Sequence, residues 1–163
     1  MIRAWPIVQA VVLLGIANGT PVLAGWLLGP RGAWPIDGGR KLADGRPLLG
    51  SSKTWRGLAL AIAATAAVAL PLGPGPAAGA AIGAGAMLGD LGSSFVKRRL
   101  GLGSGSRAPV LDQVPEALLP LLLAHRMLDL GLAEVAAATL LFVLVDVGLS
   151  PLLFRLGIRA RPY

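Results

Sequence analysis

Five apolar stretches, separated by connections of very unequal character, constrain this chain more than any other feature of it. They cover residues 6–28, 57–72, 77–96, 114–128 and 132–156. A bilayer core about 30 Å thick takes roughly 20 helical residues to cross, and each stretch meets or approaches that length. The second and fourth are short, which suits little tilt or a locally thinned membrane. The first is too long for a signal-peptide core and more spans follow it, so it reads as the first span. Composition agrees. With 55% hydrophobic residues and a mean hydropathy of +0.71, the chain has more apolar surface than a soluble domain of 163 residues can hide. The expected fold is all-α: one integral membrane domain over residues 1–163, with five transmembrane helices.

The basic residues orient it. Residues 30–56 hold Arg31, Arg40, Lys41, Arg46, Lys53 and Arg56. The connection at 97–113 holds Lys97, Arg98, Arg99 and Arg107, and the tail holds Arg155, Arg159 and Arg161. With five spans these regions share one side, which then carries 13 of the 15 Lys and Arg residues. Only Arg3 and Arg126 fall on the other. The positive-inside rule puts the N-terminus outside and the C-terminus in the cytoplasm of a cell-membrane protein. The charge of +7 is explained by this clustering, and nucleic acid is not an expected partner. Cysteine is absent, which excludes disulfides, thiolate metal sites and cysteine nucleophiles.

The outer connections are tight turns, Gly73 to Pro76 and Asp129 to Gly131. The cytoplasmic connections, 30–56 and 97–113, are long and rich in Gly, Asp, Ser and Arg, and functional residues concentrate in such loops. No internal repeat is visible, which counts against an inverted-repeat transporter. The third stretch carries Gly79, Gly83, Gly85, Gly89 and Gly92, spaced for close approach of helix backbones; such a helix also leaves room for a homodimer.

Asp90 is an acid at membrane depth, which is costly unless it faces a polar cavity with a partner. On a helix Asp90, Ser93, Ser94 and Lys97 fall at i, i+3, i+4 and i+7, one polar stripe. That stripe reads either as an interfacial Asp neutralised by Lys97 or as a hard-cation ligand flanked by hydroxyls and a phosphate-binding base. Gly50-Ser51-Ser52-Lys53-Thr54 resembles the end of a P-loop, but the upstream glycine spacing and the preceding strand are missing. At a helix start it still offers amides, hydroxyls and an ammonium to an anion. The two Asp-Gly turns, at Asp37 and Asp44, suggest a compact hairpin-like excursion. Asp112 leans toward metal binding, whereas Glu116 serves equally well as a helix-dipole partner. Asn18 lines a cavity or re-satisfies backbone loosened by Pro21. Asp146, inside the fifth stretch, needs a structural partner. His125 lies toward the outer side, so a histidine general base on the cytoplasmic side is excluded.

Taken together and in order, Asn18-x-x-Pro21, Pro35-Ile36-Asp37-Gly38-Gly39, Asp44-Gly45-Arg46, Gly50 to Gly57, Gly89-Asp90, Ser94 to Arg98 and Pro109-Val110-Leu111-Asp112-Gln113 resemble the CDP-archaeol synthase family over nearly the whole chain. A more distant likeness to bacterial CDP-diacylglycerol synthases covers Gly89-Asp90 and Ser94 to Arg98. It fails further on, where Gln113 replaces an Arg and Pro115 an Asp, leaving Glu116 one residue past the second acid. The resemblance implies transfer of CMP from CTP to the phosphate of digeranylgeranylglycerol, with release of pyrophosphate. It implies two Mg2+ ions on Asp90 and Asp112, with Glu116 a weaker candidate. Lys53, Arg56, Lys97 and Arg98 would neutralise the triphosphate, with Lys53 and Lys97 closest to the chemistry. Asp37, Asp44, Arg46, Gly50, Ser51, Ser52, Thr54, Ser93 and Ser94 would complete the nucleotide site. Alanine at Asp90 or Asp112 is expected to abolish turnover and leave folding intact. The competing readings are a small transporter or channel using Asp146 and Asn18, a structural subunit with lipid-binding loops, and a cytidylyltransferase acting on diacyl phosphatidic acid.

Overall fold

The structure is a computed structural model that describes residues 2–104, 106 and 108–158; Arg107, Arg159 and Arg161 of the basic clusters lie outside the described residues. Five helices follow one another: α1 (Ala4–Leu28), α2 (Trp55–Leu72), α3 (Pro76–Arg99), α4 (Pro109–Ala124) and α5 (Leu132–Arg155). Among the described residues there is no β-strand, only two isolated antiparallel bridges. Apolar solvent dictates this outcome, because a helix satisfies its own backbone hydrogen bonds where no water can. Outward-facing Leu60, Leu70, Leu88, Leu140 and Leu144 are all exposed. In water such a surface would drive association; in lipid it is the solvent-facing surface.

α3 is the central helix, packed against α2, α4 and α1. Its glycines make that possible. A Cβ on Gly79 would lie 2.4 Å from the Thr65 carbonyl oxygen, and one on Gly83 would lie 2.9 Å from Ile62 Cα. On another face, a Cβ on Gly85 would lie 2.7 Å from Pro120 Cα and one on Gly89 2.4 Å from the Pro115 carbonyl oxygen. Two pairs of glycines, each four residues apart, thus seat two neighbours at backbone contact. These four are used inside the chain. The main core, with Leu13, Leu14, Ile82, Leu121, Val135 and Phe142, lies toward the end that holds the α1 N-terminus.

Helix boundaries differ from expectation mainly at α4, which starts five residues before 114 and ends at Ala124. Proline suits a first helical turn, where its missing N–H costs nothing. Asp112 secures the start, its Oδ2 accepting the Ala108 N–H at 2.9 Å. The second loop therefore shrinks to residues 100–108, and Asp112 stands on a helix. α3 likewise runs through Lys97, Arg98 and Arg99, basic residues that suit a helix C-terminus. By length and composition α1, α2 and α5 are able to cross a membrane. α3 has 24 residues but is diluted by glycine and its polar end, and α4 has only 16.

The bundle has two unlike ends. At one, Arg3 pairs with Asp129 and with Glu134 (3.1 Å), joining the starts of α1 and α5. Gln9 Nε2 donates to the Leu72 carbonyl there at 2.7 Å. The other end carries both long connections and nearly all the unusual polar chemistry.

Candidate active site

The first loop folds back on itself before it reaches the site. Ile36 N–H donates to Lys53 O (2.8 Å) and Trp55 N–H to Trp34 O (3.1 Å). Within it, Leu42 N–H donates to Arg46 O (3.0 Å) and Leu48 N–H to Arg40 O (2.9 Å), a small hairpin turning at Asp44-Gly45. Asp37 is its knot. Its carboxylate accepts the backbone N–H groups of Gly39, Leu49 and Gly50, each at 2.9 Å. Burial raises its pKa, but the Gly50, Leu49 and Gly39 donors outweigh burial and hold it below the usual carboxylate range. Asp44 accepts two bonds from Arg99 (2.8 and 2.7 Å), and the Arg46 guanidinium donates to the Arg99 carbonyl. Asp37, Asp44 and Arg46, expected at the nucleotide, are thus engaged in shaping the loop and fastening it to the end of α3.

The fastened loop delivers Lys53 to Asp90. Its Nζ lies 2.5 and 2.6 Å from the two carboxylate oxygens. Asp90 is therefore neutralised from the loop and not by Lys97 two turns along its own helix. Thr54 caps α2, its Oγ1 accepting the Gly57 N–H at 3.1 Å. Beside the pair is a half-open cavity of ≈ 160 Å³ between α1, α2 and α3. Ser51, Ser52, Lys53, Arg56 and Asp90 contribute its polar lining, and Pro21, Leu58, Met87 and Leu91 contribute apolar lining. Gly57 lets α2 approach α1 at the cavity floor, since a Cβ there would sit 3.3 Å from Pro21 Cβ.

A second pair lies nearby. Lys97 Nζ is 2.5 Å from Asp112 Oδ1 and donates to the Ser106 carbonyl at 3.0 Å, which ties α3, α4 and the second loop together. Ser93 and Ser94 are buried, and Ser93 Oγ donates to the Asp90 carbonyl at 3.0 Å. Arg98 is only 3% exposed, and its Nε has no partner among the described residues. It lies beneath Gly50, whose added Cβ would come within 3.9 Å of Arg98 Nη1 and 2.9 Å of Ser104 Oγ. With φ +102 and no room for a side chain, position 50 demands glycine. A buried guanidinium with an unpartnered Nε beneath Gly50, where Ser104 also closes in, suits an anionic oxygen.

Glu116 lies against Asp90, within electrostatic reach of Lys53 and Asp112. Asp90, Glu116 and Lys53 therefore form one contact group, with Asp112 in the adjacent pair. Among the described residues no three acids or histidines are grouped to enclose a metal ion. The donor set still suits a divalent cation, because the Lys53 ammonium straddles both Asp90 oxygens beside a second carboxyl, a place a hard cation would compete for.

A family model described as CDP-archaeol synthase, CarS-like, matches residues 7–73 and 77–163. The chain belongs to the CDP-archaeol synthase family. A CDP-archaeol synthase of Sulfolobus acidocaldarius is 34% identical over 160 residues, covering 93% of this chain and 98% of that one. One from Hyperthermus butylicus is 43% identical over 113 residues, covering 66% of this chain and 64% of that protein's length. One from Aeropyrum pernix is 39% identical with the same coverages. Among solved structures, an intramembrane enzyme for archaeal membrane lipid biosynthesis matches with TM-score 0.69 and 34% identity, over 86% of this chain and 90% of that one.

Within this CDP-archaeol synthase family member, Asn18, Asp146 and His125 make contacts away from the Lys53–Asp90 pair. Asn18 Nδ2 donates to Leu14 O at 3.0 Å, turned back on its own helix one turn before Pro21. Gln113 Nε2 donates to Asp146 Oδ2 at 3.1 Å, joining α4 to α5. His125 Nδ1 contacts the Leu122 carbonyl at the end remote from Asp90. Sequence reasoning missed the two cross-element Lys–Asp pairs and the closure of Ser104 over Gly50. Neither pairing has a sequence spacing, since Lys53 and Asp90 stand 37 positions apart.

Proposed function

We propose that this chain transfers CMP from CTP to the phosphate of digeranylgeranylglycerol, giving CDP-archaeol and pyrophosphate. The carrying observation is the convergence of Lys53–Asp90 and Lys97–Asp112 at one end of the bundle, the first pair lining a cavity that has both polar and apolar side chains. The names of the family's members and of its solved relative support the reaction class. In this reading all five helices span the cell membrane, with the N-terminus outside and the site cytoplasmic, where CTP is available.

The residues suit a reaction dominated by charge. A phosphate monoester is largely dianionic near neutral pH, its second pKa being about 6, so its oxygen attacks the α-phosphorus of CTP without a general base. The new bond joins lipid phosphate oxygen to α-phosphorus, and the bond to the bridging α–β oxygen breaks as pyrophosphate leaves. Positioning and neutralisation remain for the protein. Lys53, Arg56, Lys97 and Arg98 offset the triphosphate charge, while Ser51, Ser52 and nearby amides orient it. Magnesium held by Asp90 and Asp112, with Glu116 beside Asp90, would supply positive charge at the attacking and leaving oxygens. The apolar lining of Leu58, Met87 and Leu91 suits the glycerol and first isoprenoid carbons.

Equilibrium binding of CTP to detergent-purified protein, with and without magnesium, tests this directly. Magnesium-dependent binding lost in Lys53→Met and Lys97→Met is expected. A folded protein that ignores CTP would overturn the reading in favour of a transporter or structural subunit.

A further inference from the structure

All four tryptophans of the chain are exposed: Trp5 by 60%, Trp26 by 53%, Trp34 by 75% and Trp55 by 54%. None sits in mid-helix. Trp5 is in the first turn of α1 and Trp26 in its last, so at the helical rise of 1.5 Å per residue they stand about 31 Å apart along the axis. That matches a hydrocarbon core of about 30 Å. Trp34 follows α1 and Trp55 opens α2, and the hydrogen bond from Trp55 N–H to Trp34 O (3.1 Å) holds them at one level. An indole pairs an apolar body with an N–H donor, which favours the membrane–water boundary over both water and hydrocarbon. The two ends differ in charge. Arg3, near Trp5, is paired with Asp129 and Glu134. Arg31, Arg40 and Lys41, in the loop that holds Trp34, are exposed, and such side chains attract anionic headgroups.

We propose that Trp26, Trp34 and Trp55, with Arg31, Arg40 and Lys41, form a docking surface for the headgroup layer of an anionic leaflet, with Trp5 marking the opposite boundary. Trp55 lies between Thr54 and Arg56, both lining the cavity beside Asp90. The belt therefore sets that cavity at the depth of lipid phosphates, and a phosphorylated lipid reaches it without leaving the bilayer. This last consequence rests on the synthase reading; the docking surface does not.

Depth-resolved quenching tests it. Four proteins each keep one tryptophan, the other three being replaced by phenylalanine, and are reconstituted in phosphatidylcholine–phosphatidylglycerol vesicles. The lipids carry bromine either near the headgroup or at the chain end. Each single tryptophan is expected to lose more fluorescence to shallow bromine than to deep bromine. The wild-type chain gives the same reading in sum, without substitution. Quenching of Trp34 and Trp55 by aqueous acrylamide alone would overturn the proposal, as would stronger quenching by deep bromine. A weaker shallow preference of Trp34 and Trp55 in vesicles of phosphatidylcholine alone is the expected sign of the basic residues' role; an unchanged preference would remove the anionic lipid from the proposal. No arm depends on CTP, so failure here leaves the synthase reading standing, and failure of that reading leaves the belt.

Discussion

Asp90 is asked to be both a partner for Lys53 and a ligand for chemistry, and substitution separates the two demands. The pair is about one-fifth exposed on each side, so removing the acid strands a largely desolvated ammonium. With the Lys53 and Lys97 pairs in view, alanine at Asp90 or Asp112 is expected to weaken the fold as well as the reaction, where the sequence alone led to intact folding. Asp90→Asn should lower turnover on the order of 100-fold. It should also destabilise by about 1–3 kcal/mol, the cost of a broken buried pair discounted for solvent. A Lys53→Met/Asp90→Leu double variant should recover the stability, since apolar replacement of a buried pair is often neutral, yet stay inactive. Thermal unfolding alongside turnover checks this, and an active double variant would leave Asp90 a purely structural role. At this scale the acids at unusual depth were legible in the sequence because burying them is costly. Their partners were not, because Lys53 reaches Asp90 only after the loop has folded.

Helices and loops answer to backbone geometry. Gly89→Ala would drive a methyl to 2.4 Å from the Pro115 carbonyl oxygen, and overpacking of this kind costs about 1–3 kcal/mol. Gly92→Ala meets nothing within 4 Å and should be neutral or stabilising by up to about 1 kcal/mol, from helix propensity. Comparing the two by thermal unfolding in detergent isolates helix contact from glycine content. In the first loop, Asp37 has a folded-state pKa below its unfolded value of about 3.9. Its stabilisation is therefore complete above that value and is lost as pH falls through the folded pKa. Asp37→Asn should start less stable near neutrality and fall off less on acidification, as pH-dependent unfolding would show; parallel curves would remove Asp37 from the loop's acid sensitivity. All five helices were legible from apolar runs and the hairpin from its Asp-Gly turns. The start of α4 was not. Pro109 looks like a loop residue until the Asp112 side chain is seen closing the first turn, and no residue pattern announces that.

For the whole molecule, the proposed topology puts the loop end in the cytoplasm and the Arg3 end outside. The chain has no cysteine, so single replacements report sidedness without background. Lys41→Cys should react with an impermeant maleimide only after cells are opened, and Met127→Cys in intact cells. The reverse pattern would invert the orientation. Charge asymmetry is the ground for that orientation, but it carries no information on which helices are long and apolar enough to cross; by length and composition α1, α2 and α5 are. The central claim is the reaction itself. The measurement that tests it most directly incubates membranes bearing this chain with labelled CTP, magnesium and digeranylgeranylglyceryl phosphate, with phosphatidic acid in a parallel reaction. A labelled lipid formed with an equal amount of pyrophosphate, dependent on magnesium and reduced on the order of 100-fold in Asp90→Asn, is the expected result. No labelled lipid from either substrate, with verified folded protein, would contradict the account.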